Sequence, residues 1–179
     1  MSHKIKILFT DKQIQQKVAK LGREITNYYK NKVSQKKPLV VIVVQKGASI
    51  FSADLFREIK LPAELRFMRV VSYRGKTKPQ NDPEIFDKVV SGIKDDHVLV
   101  VEDILDTGKT LVFIEDYLNK LQPKSLNFVI MLMKKTKRTI KTPQIKFKAF
   151  EVSDKFFVGC GLDYNELYRN LPYIGIIEN

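Results

Sequence analysis

Two kinds of apolar pattern alternate along the chain. Ile14, Val18, Leu21, Ile25 and Tyr28 recur at spacings of four and three, which places them on one face of a helix. Thr10 followed by Gln13 offers a capping box at its start. Leu39–Val44 is short, β-branched and unbroken, as a strand covered on both faces would be. Gln45-Lys46-Gly47 interrupts it, and a short helix is expected through Ile50, Phe51, Leu55 and Phe56. Glu64–Tyr73 reads as a strand. Arg74–Pro83 holds Gly75, Pro79, Asn81, Asp82 and Pro83 without an apolar residue and reads as a mobile loop. Ile85–Val90 can then pair back and close a long hairpin.

Val98–Val101 is a second buried strand, followed by a helix over Thr110–Leu121, and Ser125–Met133 is a third buried strand. Shorter strands are expected near Ile145–Val152, Phe156–Gly159 and Tyr173–Ile177. Strands alternating with helices predict an α/β fold: a mostly parallel central sheet flanked by helices. Ligands of such sheets bind at the carboxyl ends of the strands. That rule points to the residues after Val44, Val101 and Met133.

A chain of 179 residues suits one domain, 1–179, and can bury a core without disulfide staples. Cys160 is the only cysteine, so no intrachain disulfide can form. Met1–Thr10 lacks an apolar stretch of signal-peptide length, and Leu39–Val44 is too short to span a bilayer. The expectation is a cytoplasmic protein without a membrane partner. The net charge of +12 favours anionic partners. Lys134, Lys135, Lys137, Arg138 and Lys141 form the densest basic cluster. Short basic motifs are more often solvated surface than nucleic-acid patches, so no nucleic-acid partner is expected.

The segment richest in chemistry is Val100-Val-Glu-Asp-Ile-Leu-Asp-Thr-Gly-Lys-Thr-Leu111. A hydrophobic strand runs into Glu102 and Asp103, and Asp106-Thr-Gly-Lys-Thr110 opens a helix. Gly108 lets backbone approach closely, Thr107 and Thr110 offer hydroxyls, and helix amides point outward at an anion. The carboxylates suit ribose hydroxyls and hard cations. Carboxylates beside phosphate repel unless a cation intervenes, which implies Mg2+. A P-loop would need glycine five positions before Gly108, and position 103 is aspartate. A solvated strand-to-helix loop is the competing plain reading.

This segment resembles the phosphoribosyl pyrophosphate signature of type I phosphoribosyltransferases, and within them the hypoxanthine-guanine branch. The resemblance runs from about Ile14 to Ile177 and includes the C-terminal Phe156-Phe-Val-Gly-Cys-Gly-Leu-Asp-Tyr-Asn-Glu-Leu-Tyr-Arg-Asn-Leu-Pro172. It implies a type I phosphoribosyltransferase fold with a small hood formed by N- and C-terminal segments, the latter about 150–179. It implies transfer of the phosphoribosyl group from phosphoribosyl pyrophosphate to N9 of hypoxanthine, and of guanine, releasing pyrophosphate. Glu102 and Asp103 would hold the ribose hydroxyls, directly or through Mg2+. Asp106 would take the proton at purine N7. Asp106, Thr107, Gly108, Lys109 and Thr110 would bind the 5′-phosphate, and Lys46, Gly47 and Arg169 the pyrophosphate.

The same resemblance sets Lys134 on the 6-oxo group, the Phe156 ring on the purine face and the backbone of Phe157 at its edge. Periodicity alone reads both phenylalanines as core. Asp163 would carry a second Mg2+ near the base, Lys155 would support the hood, and Ser72 and Tyr73 would belong to a lid. The Lys46 loop often carries a non-proline cis peptide in that family, usually with leucine where this chain has Gln45. Cys160 replaces a frequent aromatic residue. A homodimer or homotetramer is implied. The rival reading is a regulatory RNA-binding protein on the same fold. A xanthine-preferring sibling enzyme is another, whereas a cation at Lys134 disfavours adenine.

Overall fold

The computed structural model describes residues 4–71, 84–85, 92–135 and 140–178. A first strand, β1 (Lys4–Phe9), precedes helix α1 (Asp11–Tyr29). Thr10 caps that helix as its sequence predicts: its side chain accepts from the Gln13 amide at 3.4 Å, and Gln13 Oε1 accepts from the Thr10 amide at 2.9 Å. The buried stripe is Ile14, Val18, Leu21, Ile25 and Tyr29, and the expected Tyr28 packs half-buried against the same core. Tyr29 rather than Tyr28 lies inward because its hydroxyl reaches Asn127 on a distant strand, at 2.9 Å.

Next come β2 (Leu39–Gln45), α2 (Ser49–Glu58), β3 (Ala63–Val71) and the short β4 (Glu84–Ile85). β5 (His97–Leu105), α3 (Lys109–Asn119) and β6 (Ser125–Lys134) follow, then β7 (Phe147–Val152), β8 (Phe157–Val158) and β9 (Ile174–Glu178). The main sheet has the order β4-β3-β2-β5-β6-β7, parallel throughout except for the antiparallel β4. The expected hairpin is present where Val70 and Val71 meet Ile85 and Glu84; residues 86–90 lie outside the described set. Strand β1 escaped the sequence reading, and β7 begins at Phe147 rather than Ile145.

Alternation along the central strands divides the core. Leu39, Val41, Val43, Leu99, Val101, Val129 and Met131 pack on one face with α1 and α2. Val40, Ile42, Val44, Val98, Val100, Phe128 and Ile130 pack on the other with α3. Both faces are covered, which is why β2 reads as an unbroken apolar run. Each such side chain contributes about 1.5–3 kcal/mol on burial, so the strand ends carrying polar groups are held rigidly.

A second, antiparallel sheet β1-β9-β8 joins the two ends of the described chain. It stands over the carboxyl edge of the main sheet, and the stacked rings of Phe9 and Phe150, 4.0 Å apart, tie it to β7. Replacing Thr10 with alanine should remove the cap and cost about 0.5–2 kcal/mol. A shift in the urea midpoint with unchanged slope would measure it.

Candidate active site

The carboxyl ends of β5 and β6 and the hood segment enclose a cavity of about 450 Å³. Its wall includes Asp103, Asp106, Lys134, Phe156, Phe157 and Asp163, brought together from three separate stretches of the sequence. Lys155 lines it too.

Lys134 is the last residue of β6, and its side chain is only 10% exposed. Its Nζ donates to Asp106 Oδ2 at 3.1 Å and to Asp154 Oδ1 at 2.9 Å. Burial alone would disfavour the ammonium, but the hydrogen bonds to Asp154 and Asp106 outweigh it and hold the pKa above its usual value. Lys135 points elsewhere, exposed and 3.5 Å from Glu151. Lys137 and Arg138 lie outside the described residues, as do Ser72 and Tyr73.

The two neighbouring phenylalanines part company. Phe157 is buried in the core, with its strand paired to β9 at Ile176. Phe156 is 53% exposed and meets the Tyr164 ring edge-on, centroids 5.6 Å apart. The periodic reading of both as core is therefore corrected for Phe156, which lies just before β8 and outside its pairing with β9.

Glu102 and Asp103 lie within β5 rather than after it, and both are buried. Burial pushes the Glu102 carboxyl well above the usual range, and the neighbouring charge of Asp103 adds to this. Burial raises Asp103 as well, while bonds from Glu102 and the Ile104 amide and the charge of Arg169 oppose it. Glu102 Oε2 has no hydrogen-bond partner among the described residues. Gly47 abuts this pair: a Cβ there would lie 1.7 Å from Asp103 Oδ2. The Gln45–Lys46 peptide beside it is cis.

Helix α3 starts at Lys109, with Gly108 at φ 89° as its N-cap and no side chain capping its amides. A left-handed φ with Thr142 packed above it suits only glycine: a Cβ would meet Thr142 Cγ2 at 2.2 Å. Thr107 and Lys109 are exposed and Thr110 half-buried at this helix start. These residues and Lys46 flank the cavity instead of lining it. Arg169 is oriented toward the same region by Asp163, at 2.8 Å. The lone thiol of Cys160 is buried, and burial pushes its pKa up to about 12, which leaves it inert packing.

The donors around Glu102 and Asp103 are all oxygen, and one of them is a buried orphan, which fits a hard cation. Among the described residues no three or more His, Cys, Asp or Glu converge on a metal position. Such a set suits Mg2+ that arrives with substrate oxygens completing its shell. Sequence reasoning missed Asp154 and Glu166, both of which reach site cations. Neither shows any periodicity or motif spacing of its own, so only the folded geometry reveals them.

A carboxyl whose pKa is raised on folding holds its proton more tightly in the folded chain, so its contribution favours folding at low pH. That contribution is lost as pH climbs from the ordinary carboxylate range through the raised value. Glu102→Gln should therefore be more stable than the parent chain in chelator, by a margin that grows between pH 5 and pH 8. Melting curves across that range check it; a margin independent of pH would contradict the buried charge.

Comparison with known proteins agrees with this geometry. The family model of the phosphoribosyl transferase domain matches residues 6–165. Hypoxanthine phosphoribosyltransferase of Haemophilus influenzae is 39% identical over 173 residues, 97% of this chain and 95% of that one. The solved hypoxanthine phosphoribosyltransferase of Staphylococcus aureus superposes with a TM-score of 0.86 at 38% identity, over 97% of this chain and 91% of that one. The Trypanosoma cruzi enzyme, solved in complex with the product IMP, gives 0.88 at 30% identity, over 98% of this chain and 95% of that one. The regulatory RNA-binding reading gains no support from these relatives. With a matching domain model across most of its length and full-length relatives of this kind, the chain belongs to the phosphoribosyltransferase family, in the hypoxanthine and hypoxanthine-guanine branch.

Proposed function

We propose that this chain is a 6-oxopurine phosphoribosyltransferase of purine salvage, making IMP from hypoxanthine and GMP from guanine, with phosphoribosyl pyrophosphate as donor. The observation that carries the reading is Lys134, a buried ammonium held between Asp106 and Asp154 in the cavity wall. It is a donor where a 6-oxo group needs one, and it would face another donor if the base carried a 6-amino group.

The base enters against the exposed face of Phe156, and its 6-oxo oxygen accepts from Lys134. The bond Lys134 makes to Asp106 then passes to the base, leaving the Asp106 carboxylate to take the proton at N7. Purine N9 attacks the anomeric carbon as that carbon's bond to pyrophosphate oxygen breaks, and the electron pair departs with pyrophosphate. Thr107, Gly108, Lys109 and Thr110 hold the 5′-phosphate at the open amides of α3. Glu102 and Asp103 take the ribose hydroxyls, and Lys46, Gly47 and Arg169 receive the leaving pyrophosphate. Mg2+ held at Glu102 and Asp103, and a second ion at Asp163, would neutralise the phosphate oxygens. Phe157 reads the base edge through its backbone, and Ser72 and Tyr73 belong to a lid that excludes water.

The whole of 1–179 acts as one domain, its hood built from β1 and the C-terminal segment. No helix among the described residues is long and apolar enough to cross a membrane. We place the reaction in the cytoplasm, where a multiply charged sugar phosphate would be retained. The enzyme works as a homodimer or homotetramer.

Hypoxanthine, guanine, xanthine and adenine should be offered separately at fixed Mg2+ and phosphoribosyl pyrophosphate. Turnover of hypoxanthine, abolished by chelator, is expected, and folded protein that turns over no base would reject the reading. Asp106→Ala should lower kcat by about 10²–10⁴-fold with little change in KM, the signature of a lost general base. Lys134→Met should raise KM for hypoxanthine by tenfold or more, since a hydrogen bond to a charged group is worth about 1.5–3 kcal/mol.

A further inference from the structure

The two cations assigned to the leaving group come from opposite parts of the chain. Lys46 stands in the turn after β2, and Arg169 in the hood segment before β9. A single oxygen joins them: Glu166 Oε2 accepts from Lys46 Nζ at 3.2 Å and from Arg169 Nη2 at 3.3 Å. Two cations brought together without an anion repel. A carboxylate oxygen shared between them occupies the electrostatic position that a diphosphate oxygen would take.

Arg169 is anchored independently of this contact. Its Nη1 donates to the Gly161 carbonyl at 2.7 Å, and its Nη2 lies 2.8 Å from Asp163 Oδ1. Its Nε is buried and has no acceptor among the described residues, so the guanidinium still has a donor to offer. The backbone of Glu166 is fixed as well: its N–H donates to Asp163 Oδ2 at 2.9 Å, and the Tyr164–Leu167 bridge holds it on either side. Only its side chain, 65% exposed, is left to swing.

We propose that Glu166 is an internal stand-in for diphosphate: its carboxylate bridges Lys46 and Arg169 in the ligand-free protein, and the diphosphate group of an incoming ligand displaces it. The proposal rests on the roles given above to Lys46 and Arg169. The bridge keeps the exposed Lys46 ammonium beside the anchored Arg169, near its working position, which lowers the ordering cost of binding. It also competes with the ligand for both cations. The exposed carboxylate loses little on moving into water, so the competition is weak. It sets a ceiling on pyrophosphate affinity and gives the product site an anion ready to refill it.

The test is calorimetric titration of the full chain with inorganic pyrophosphate at fixed Mg2+, alongside KM for phosphoribosyl pyrophosphate and for hypoxanthine. Glu166→Gln keeps shape and removes charge; Glu166→Asp keeps charge. Pyrophosphate should bind Glu166→Gln about two- to fivefold more tightly than the parent chain, the range expected for removing weak ion-pair competition. KM for phosphoribosyl pyrophosphate should fall with it, KM for hypoxanthine should stay put, and Glu166→Asp should remain near the parent value. Equal or weaker pyrophosphate binding by Glu166→Gln, with the parent still binding, would overturn the stand-in role and leave the Lys46 and Arg169 assignment intact. A parent chain that binds no pyrophosphate would remove that assignment and the stand-in together.

Discussion

Two adjacent carboxylates buried in a hydrophobic strand are expensive unless a proton or a cation meets them, and the rest of the site is arranged around that constraint. Glu102 and Asp103 are held in β5 by its pairing with β2 and β6, so they cannot turn outward without breaking the centre of the sheet. Gly47 closes one side of Asp103 so tightly that no larger residue fits. The charge of Arg169 reaches the pair from the hood. The cavity lies next to this charged spot, and the uncapped start of α3 lies beyond it. A nucleoside monophosphate of the kind proposed, with a base at one end, a hydroxyl-bearing ribose between and one phosphate at the other, has the shape of that sequence of environments.

The sequence showed most where one local rule decided the outcome. The uninterrupted runs of β2, β5 and β6 could only be strands covered on both faces, and the Thr10–Gln13 box marked a helix start to the residue. It showed less where a partner far along the chain had the final word. Tyr28 and Tyr29 are both compatible with the α1 stripe, and the choice between them depends on Asn127. Strand β1 is half exposed, alternates lysine with isoleucine, and gains its identity from β9. The acidic pair looked like loop because strands seldom carry it. Of Phe156 and Phe157, only the pairing of β8 with β9, which begins at Phe157, shows which is core.

Net charge was the least informative number at the level of single residues. Within the basic cluster Lys134 and Lys135 are neighbours in sequence, yet one is a buried donor between two carboxylates and the other an exposed partner of Glu151. What separates them is the pleat of β6, which turns one side chain under the hood and the other away. Site chemistry here is selected by strand register, so a slip of one residue in β6 would exchange Lys134 for an inert neighbour.

The hood is a sheet in which β8 pairs only with β9, and β9 with β1. The first of these elements leaves the ribosome early and waits, unpaired, until the last has been made. Contacts between such remote segments form late, because loop closure must precede them. The main sheet and the open start of α3 are complete in sequence well before then. The growing chain therefore completes the strand ends that carry Glu102, Asp103 and Lys134 before it can close the wall above them, and enclosure of the cavity comes after its floor.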